Sequence, residues 1–193
     1  MSDQDISGAT PGPLKLLIVD TTGDRGGFEH ATTLKIHKAL SDAGVDVLAP
    51  VFASSMADFL KATDQEFSAL LWVAHGAAPK GATVSRVSIG ATPYAWQLIA
   101  NSGLNLTNKL VALCVCSAGN DDMTISIQKS DVFALMTVAS SVTLGADEAL
   151  RFFPAFFQKL NPTSIATIEP LLVKEAVEEL SNLAGNKMRY FGP

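Results

Sequence analysis

Residues 110–120 read LVALCVCSAGN. A short apolar run that ends in a turn of small residues reads as a strand buried on both faces. It carries both cysteines of the chain, Cys114 and Cys116. Three readings are open for the pair: inert core residues, two metal ligands, or a nucleophile with a packing neighbour. The segments around it decide what the strand belongs to.

Upstream, SALLWVAHG (68–76) is a second apolar run and ends at His75-Gly76. LKLLIVD (14–20) is another, stopping at Asp20 before the turn-rich TTGDRGG. Between them, FEHATTLKIHKALSDAG (28–44) has helical spacing through Phe28, Ala31, Leu34, Ala39, Leu40 and Ala43, and Gly44 is a helix stop. VDVLAPVF (45–52) reads as a strand, and SMADFLKATDQ (55–65) as a helix with Ser54 or Ser55 as cap. The segment 77–90 reads as a loop able to hold a small hairpin, and 92–103 as a helix with Pro93 in its first turn. Beyond the cysteines, 130–139 reads as a helix and 141–145 as a short strand. Residues 146–160 read as a helix in which Pro154 forces a kink or a late start, and 164–183 as a last helix containing Pro170.

Apolar strands alternating with helices give an α/β protein, a three-layer sandwich with a mostly parallel central sheet. At 193 residues the expectation is one domain over 14–193, preceded by a loose polar tail at 1–13. Net charge of −5 leaves no basic footprint for nucleic acid. No apolar run reaches the ~20 residues of a membrane span, and the amino terminus shows no charged-then-apolar leader, so the expectation is cytoplasmic with no membrane partner. A C-x-C pair is no disulfide framework, and a bridge between strand positions i and i+2 would distort the strand, so reduced thiols are expected.

In such sheets working groups collect at the carboxyl ends of the strands. Two residues stand there with chemistry to offer, His75 and Cys116. If their strands are neighbours, imidazole and thiol meet on one edge, and a thiol beside an imidazole is activated as a nucleophile. Glycine after each residue lets the backbone approach a substrate and aim N–H groups at a developing oxyanion. The plain reading of Cys116, and more so of Cys114, is a small buried hydrophobe. His30 and His37 read as solvated or boundary residues of the first helix. His75 with two thiols lacks a fourth ligand, so neither metal nor cofactor is expected. TTGDRGG has neither the dinucleotide nor the phosphate-loop order of glycines.

A strand ending in His-Gly, a helix, and a strand ending in Cys before a small-residue turn together resemble the caspase-like (clan CD) cysteine peptidases. The nearer likeness is to the CHAT branch, whose nucleophile segment reads L-S-A-C-x-T-G; LCVCSAG (113–119) falls on it, with Cys116 at the nucleophile position. VASSVTLGADEALRFFPAFFQKL (138–160) also resembles that branch's strand, Asp-Glu-Ala and aromatic helix. The likeness spans roughly residues 14 to 180. It implies the caspase-like (caspase–hemoglobinase) fold, a Cys116–His75 dyad, an oxyanion hole from the N–H groups of Gly76 and Cys116, and hydrolysis of a protein or peptide substrate through an acyl-enzyme.

The resemblance implies less about specificity. Arg25 stands near the place of a caspase arginine that helps hold a substrate aspartate, but Cys114 replaces the caspase glutamine two residues before the nucleophile. Asp20, Asp121 and Asp122 are acidic candidates for a pocket that takes a basic residue; each is also an ordinary turn residue. No long cleavable linker follows Cys116, which points to control by a regulatory partner or a ligand. Two alternatives stand beside the peptidase: a catalytically inactive binding or regulatory protein on the same fold, and an amidotransferase-like thiol hydrolase, against which the order His75 before Cys116 counts.

Overall fold

The computed structural model describes residues 13–23, 27–77, 86–104, 106–119, 136–161 and 168–192. Five strands run through the core: β1 Leu16–Asp20, β2 Val51–Phe52, β3 Ala69–Val73, β7 Leu110–Cys114 and β8 Met136–Ser140. They are parallel, and β9 Met188–Phe191 closes one side antiparallel to β8, giving the order β2-β1-β3-β7-β8-β9. A small antiparallel sheet of β4 Gly76–Ala77, β5 Arg86–Ile89 and β6 Thr92–Ala95 stands beside it. The mostly parallel sheet flanked by helices is the α/β sandwich that the sequence pattern implies.

Alternation along each strand sends side chains to two cores. One face packs Leu16, Ile18, Leu71, Val73, Leu110 and Ala112 against α1 (Phe28–Asp42), α4 (Ala146–Lys159) and α5 (Pro170–Leu180). The other packs Leu17, Val19, Leu70, Trp72, Val111 and Leu113 against α2 (Met56–Thr63) and α3 (Trp96–Ala100). Four phenylalanines of α4, Phe152, Phe153, Phe156 and Phe157, are fully buried. Truncating any one of them would cost about 3–5 kcal/mol.

Several sequence expectations are corrected. In α1 the buried residues are Thr32, Thr33, Ile36 and Leu40, whereas Phe28 and Leu34 are exposed. The helix turns a threonine inward because Thr33 donates to the buried Asp20 carboxylate, which needs hydroxyl partners away from water. The strand expected over 45–52 is interrupted. Its pairing offset with β1 changes from 31 (Leu16 with Val47) to 32 (Val19 with Val51), so one extra residue is inserted near Pro50, which has no N–H to donate.

Residues 92–95 are strand β6, not helix, because Gly90, at φ +59°, turns β5 back on itself. Pro93 is accommodated because β6 is an edge strand. The segment 136–140 is a strand where the sequence predicts helix over 130–139, of which 130–135 lie outside the described residues, and 141–145 is irregular where it predicts a strand. A buried apolar run this short has no periodicity to separate strand from helix. The fourth helix begins at Ala146 and runs through Pro154, so there is no late start. The last helix begins at Pro170, which occupies its first turn, and ends in a 3₁₀ turn at Ser181–Ala184. It is followed by β9, absent from the sequence reading.

Candidate active site

β3 and β7 are parallel neighbours, with Val73 in register with Cys114. Each chain leaves the sheet just after that pair, and two residues further on stand His75 and Cys116. Backbone bonds fix both departures. The Ala74 N–H donates to the Cys114 carbonyl, and the His75 carbonyl accepts from Ser88 N–H of the small sheet. After Cys116, Ser117 takes a left-handed φ of +57° and donates its N–H to Val142. Gly119 N–H then donates to Ser140, tying the turn to the end of β8.

Gly76 lies against this turn. A Cβ there would overlap the Cys116 carbonyl oxygen and stand 2.7 Å from a methyl of Val115. Only glycine lets the His75 segment and the Cys116 turn approach so closely.

His75 and Cys116 line one cavity of about 260 Å³, together with Cys114, Glu29 and Thr32 of α1, and Leu144 from the loop before α4. The Cys116 thiol donates to the Leu144 carbonyl at 3.8 Å. Glu29 Oε1 is 3.9 Å from His75 Nδ1, and both side chains are partly open to solvent. The loop carrying Leu144 is held from behind. Gly145 N–H donates to Glu148, and the Lys187 ammonium bonds both oxygens of the same carboxylate at 2.6 and 2.7 Å. Lys187, with the Gly145 N–H, holds the Glu148 carboxyl below the usual carboxylate range.

Cys114 is part of the cavity wall and its thiol is pushed up to about 12, first by burial and then by the charges of Cys116, Asp20 and Glu29. It remains a neutral thiol at any ordinary pH. Both cysteines are half-buried residues of the cavity lining, and burial holds Cys114 as a neutral thiol.

The remaining sequence candidates lie elsewhere. The Asp20 carboxylate is buried and accepts from Thr22 N–H at 2.9 Å, Thr22 Oγ1 at 2.6 Å and Thr33 Oγ1 at 3.0 Å, which makes it the anchor of its own turn. It is not among the residues lining the cavity of Cys116. Arg25, Asp121 and Asp122 fall outside the described residues. His30 packs its ring on Phe52 at 4.1 Å, away from Cys116. Among the described residues no group of three or more His, Cys, Asp or Glu could hold a metal ion. Glu29 is absent from the sequence candidates. Its only linear signal is a place in the first turn of the helix that follows β1.

No family model matches the sequence, and no curated protein matches it. Solved structures do align. An Arg-specific cysteine proteinase, gingipain R (RgpB), matches with a TM-score of 0.57 and 12% identity, over 92% of this chain and 46% of that one. The initiator caspase Dronc of Drosophila matches with a TM-score of 0.55 and 12% identity, over 92% of this chain and 79% of that one. The fold is caspase-like. The complex of Porphyromonas gingivalis RgpB pro- and mature domains agrees, with a TM-score of 0.56, 11% identity, and 92% and 47% coverage. This caspase-like chain thus spans about half the length of the gingipain chains it matches. At such identities the likeness carries the fold and not the activity. Among the described residues no helix is long and apolar enough to cross a membrane.

Proposed function

We propose that the protein is a cysteine endopeptidase acting through a Cys116–His75 dyad. One observation carries the reading: the thiol and the imidazole leave adjacent, in-register parallel strands and line one cavity. His75 takes the thiol proton, and the thiolate sulfur attacks the scissile carbonyl carbon. The N–H groups of Gly76 and Cys116 receive the oxyanion, and the Glu29 carboxylate faces the imidazolium that forms. That proton passes to the leaving amine, giving an acyl-enzyme. Water, deprotonated by His75, then releases the acid.

Within the caspase-like fold, LCVCSAG and the Asp-Glu-Ala that opens α4 support a CHAT-like member. Glu148 of that triplet holds the cavity wall at Gly145. The substrate is a dedicated protein, directed to the site by a regulatory partner in the cytoplasm.

A second reading, an inactive binding protein on the same scaffold, draws on the thiol's bond to the Leu144 carbonyl, which turns it toward the cavity wall. Intact-mass labelling with an electrophilic peptide separates the two. The peptidase labels once, at Cys116, and Cys116→Ala and His75→Ala each lower peptide cleavage by about a thousandfold or more. Cleavage that survives loss of Cys116 rules the dyad out. Absence of both labelling and cleavage supports the binding protein.

A further inference from the structure

The cavity beside Cys116 has a chemistry of its own, although the identity of its occupant as a substrate side chain rests on the peptidase reading. At about 260 Å³ it is smaller than the roughly 300–1,000 Å³ of drug-sized ligand sites, the scale of a single side chain. Its walls are largely aliphatic, with Val73 and Cys114 from the strands, Leu144 from the loop, and Ala149 from α4. Among the described lining residues Glu29 is the one carboxylate, and it remains partly open to solvent.

A second carboxylate, outside the lining, stands two strands from Cys114. Asp20 and Cys114 flank Val73 from either side, at the same level of the sheet. The charges of Asp20 and Glu29 both reach the Cys114 thiol and reinforce the effect of its burial. Two carboxylates therefore stand on the Cys114 side of the cavity, Glu29 in its lining and Asp20 outside it.

We propose that this cavity is the first specificity pocket and that it takes a lysine or arginine side chain, with the aliphatic stem against Val73, Leu144 and Ala149 and the cationic end drawn to Glu29. Long basic side chains suit such a site because the stem packs while the head keeps a polar partner. An acidic side chain would meet like charge. An apolar one would take water from Glu29 and offer it no partner beyond His75, which is costly for a carboxylate. Glu29 has two oxygens to accept with, so facing His75 does not prevent it from receiving a substrate cation.

The test uses Cys116→Ala protein, which cannot turn over, and four labelled peptides that differ only in the residue before the scissile bond: Arg, Lys, Leu or Asp. Fluorescence polarisation at low salt is expected to show Arg and Lys binding about tenfold or more tighter than Leu and Asp, the gap narrowing as salt rises. Adding Glu29→Gln brings the four to within about threefold, while Glu29→Asp keeps the basic preference. Tightest binding by Leu or Asp, binding by none of the four, or an Arg preference untouched by Glu29→Gln would each overturn the pocket. Thermal unfolding confirms that the variants are folded. Incubating the same peptides with wild type tests the other claim separately: Arg-selective binding without Cys116-dependent cleavage leaves the pocket standing and removes the peptidase.

Discussion

Gly76 and Cys116 are in backbone contact, close enough that a methyl group on Gly76 would overlap the Cys116 carbonyl oxygen. The contact joins the segment carrying His75 to the turn carrying the thiol, so the spacing of the two groups depends on a missing side chain. Gly76→Ala must push the segments apart. The expected cost is about 1–3 kcal/mol of stability, read by denaturant unfolding. Labelling of Cys116 by an electrophilic peptide slows by more than the stability loss accounts for. A Gly76→Ala protein that labels at the wild-type rate would show that the contact does not set the geometry of the site.

The two thiols are expected to react differently. With Cys114 pushed up to about 12 by its burial, iodoacetamide at neutral pH adds once to the folded protein, at Cys116, and twice only after denaturation. Cys114→Ala keeps cleavage, since the neutral thiol takes no part in the chemistry. The sign of the pH effect follows from a thiol that ionises near 9.0 when unfolded and near 12 when folded. Above pH 9 the unfolded chain binds fewer protons, so stability falls as pH rises. Its contribution is fully present below about 9 and is lost toward 12. The stability difference between wild type and Cys114→Ala should therefore shrink between pH 8 and pH 10, and a constant difference contradicts the assignment.

Glu148 has the opposite sign. Its carboxyl is held low by Lys187 and by the Gly145 N–H, so the folded state keeps it ionised at pH values where the unfolded chain takes up a proton. The stabilisation is present above about 4.5 and is lost as pH falls through the lower folded value. Glu148→Gln should cost about 1 kcal/mol at pH 7 and much less at pH 3, by urea unfolding at both. The same substitution loosens the loop carrying Leu144, so labelling at Cys116 should change at pH 7 as well. An equal stability cost at both pH values argues against the ion pair.

The strand–helix alternation and the placing of His75 and Cys116 were legible in one dimension, because a strand buried on both faces must be apolar and a polar residue at its end stands out. LVALCVCSAGN could be recognised as β7 and its turn without knowing any partner. The burial of α1 was not legible. Phe28 and Leu34 look like core, yet the inward face was decided by Asp20, a buried carboxylate on another element that draws Thr33 to it. The assignments at 92–95 and 136–140 failed for a related reason. Segments of four or five residues carry too little periodicity, and only their neighbours, β5 in one case and β7 and β9 in the other, made them strands.

By itself, then, the sequence determined an α/β sandwich and marked one thiol and one imidazole at its strand ends as the candidates for chemistry. Local composition suffices for both conclusions. Only the tertiary structure decided that β3 and β7 are neighbours in register, that Glu29 joins them from α1, and that Leu144 closes the cavity from 28 residues further along the chain than Cys116. Those facts depend on which surfaces pack together, and a cavity is made by residues whose separation along the chain carries no trace of their separation in space.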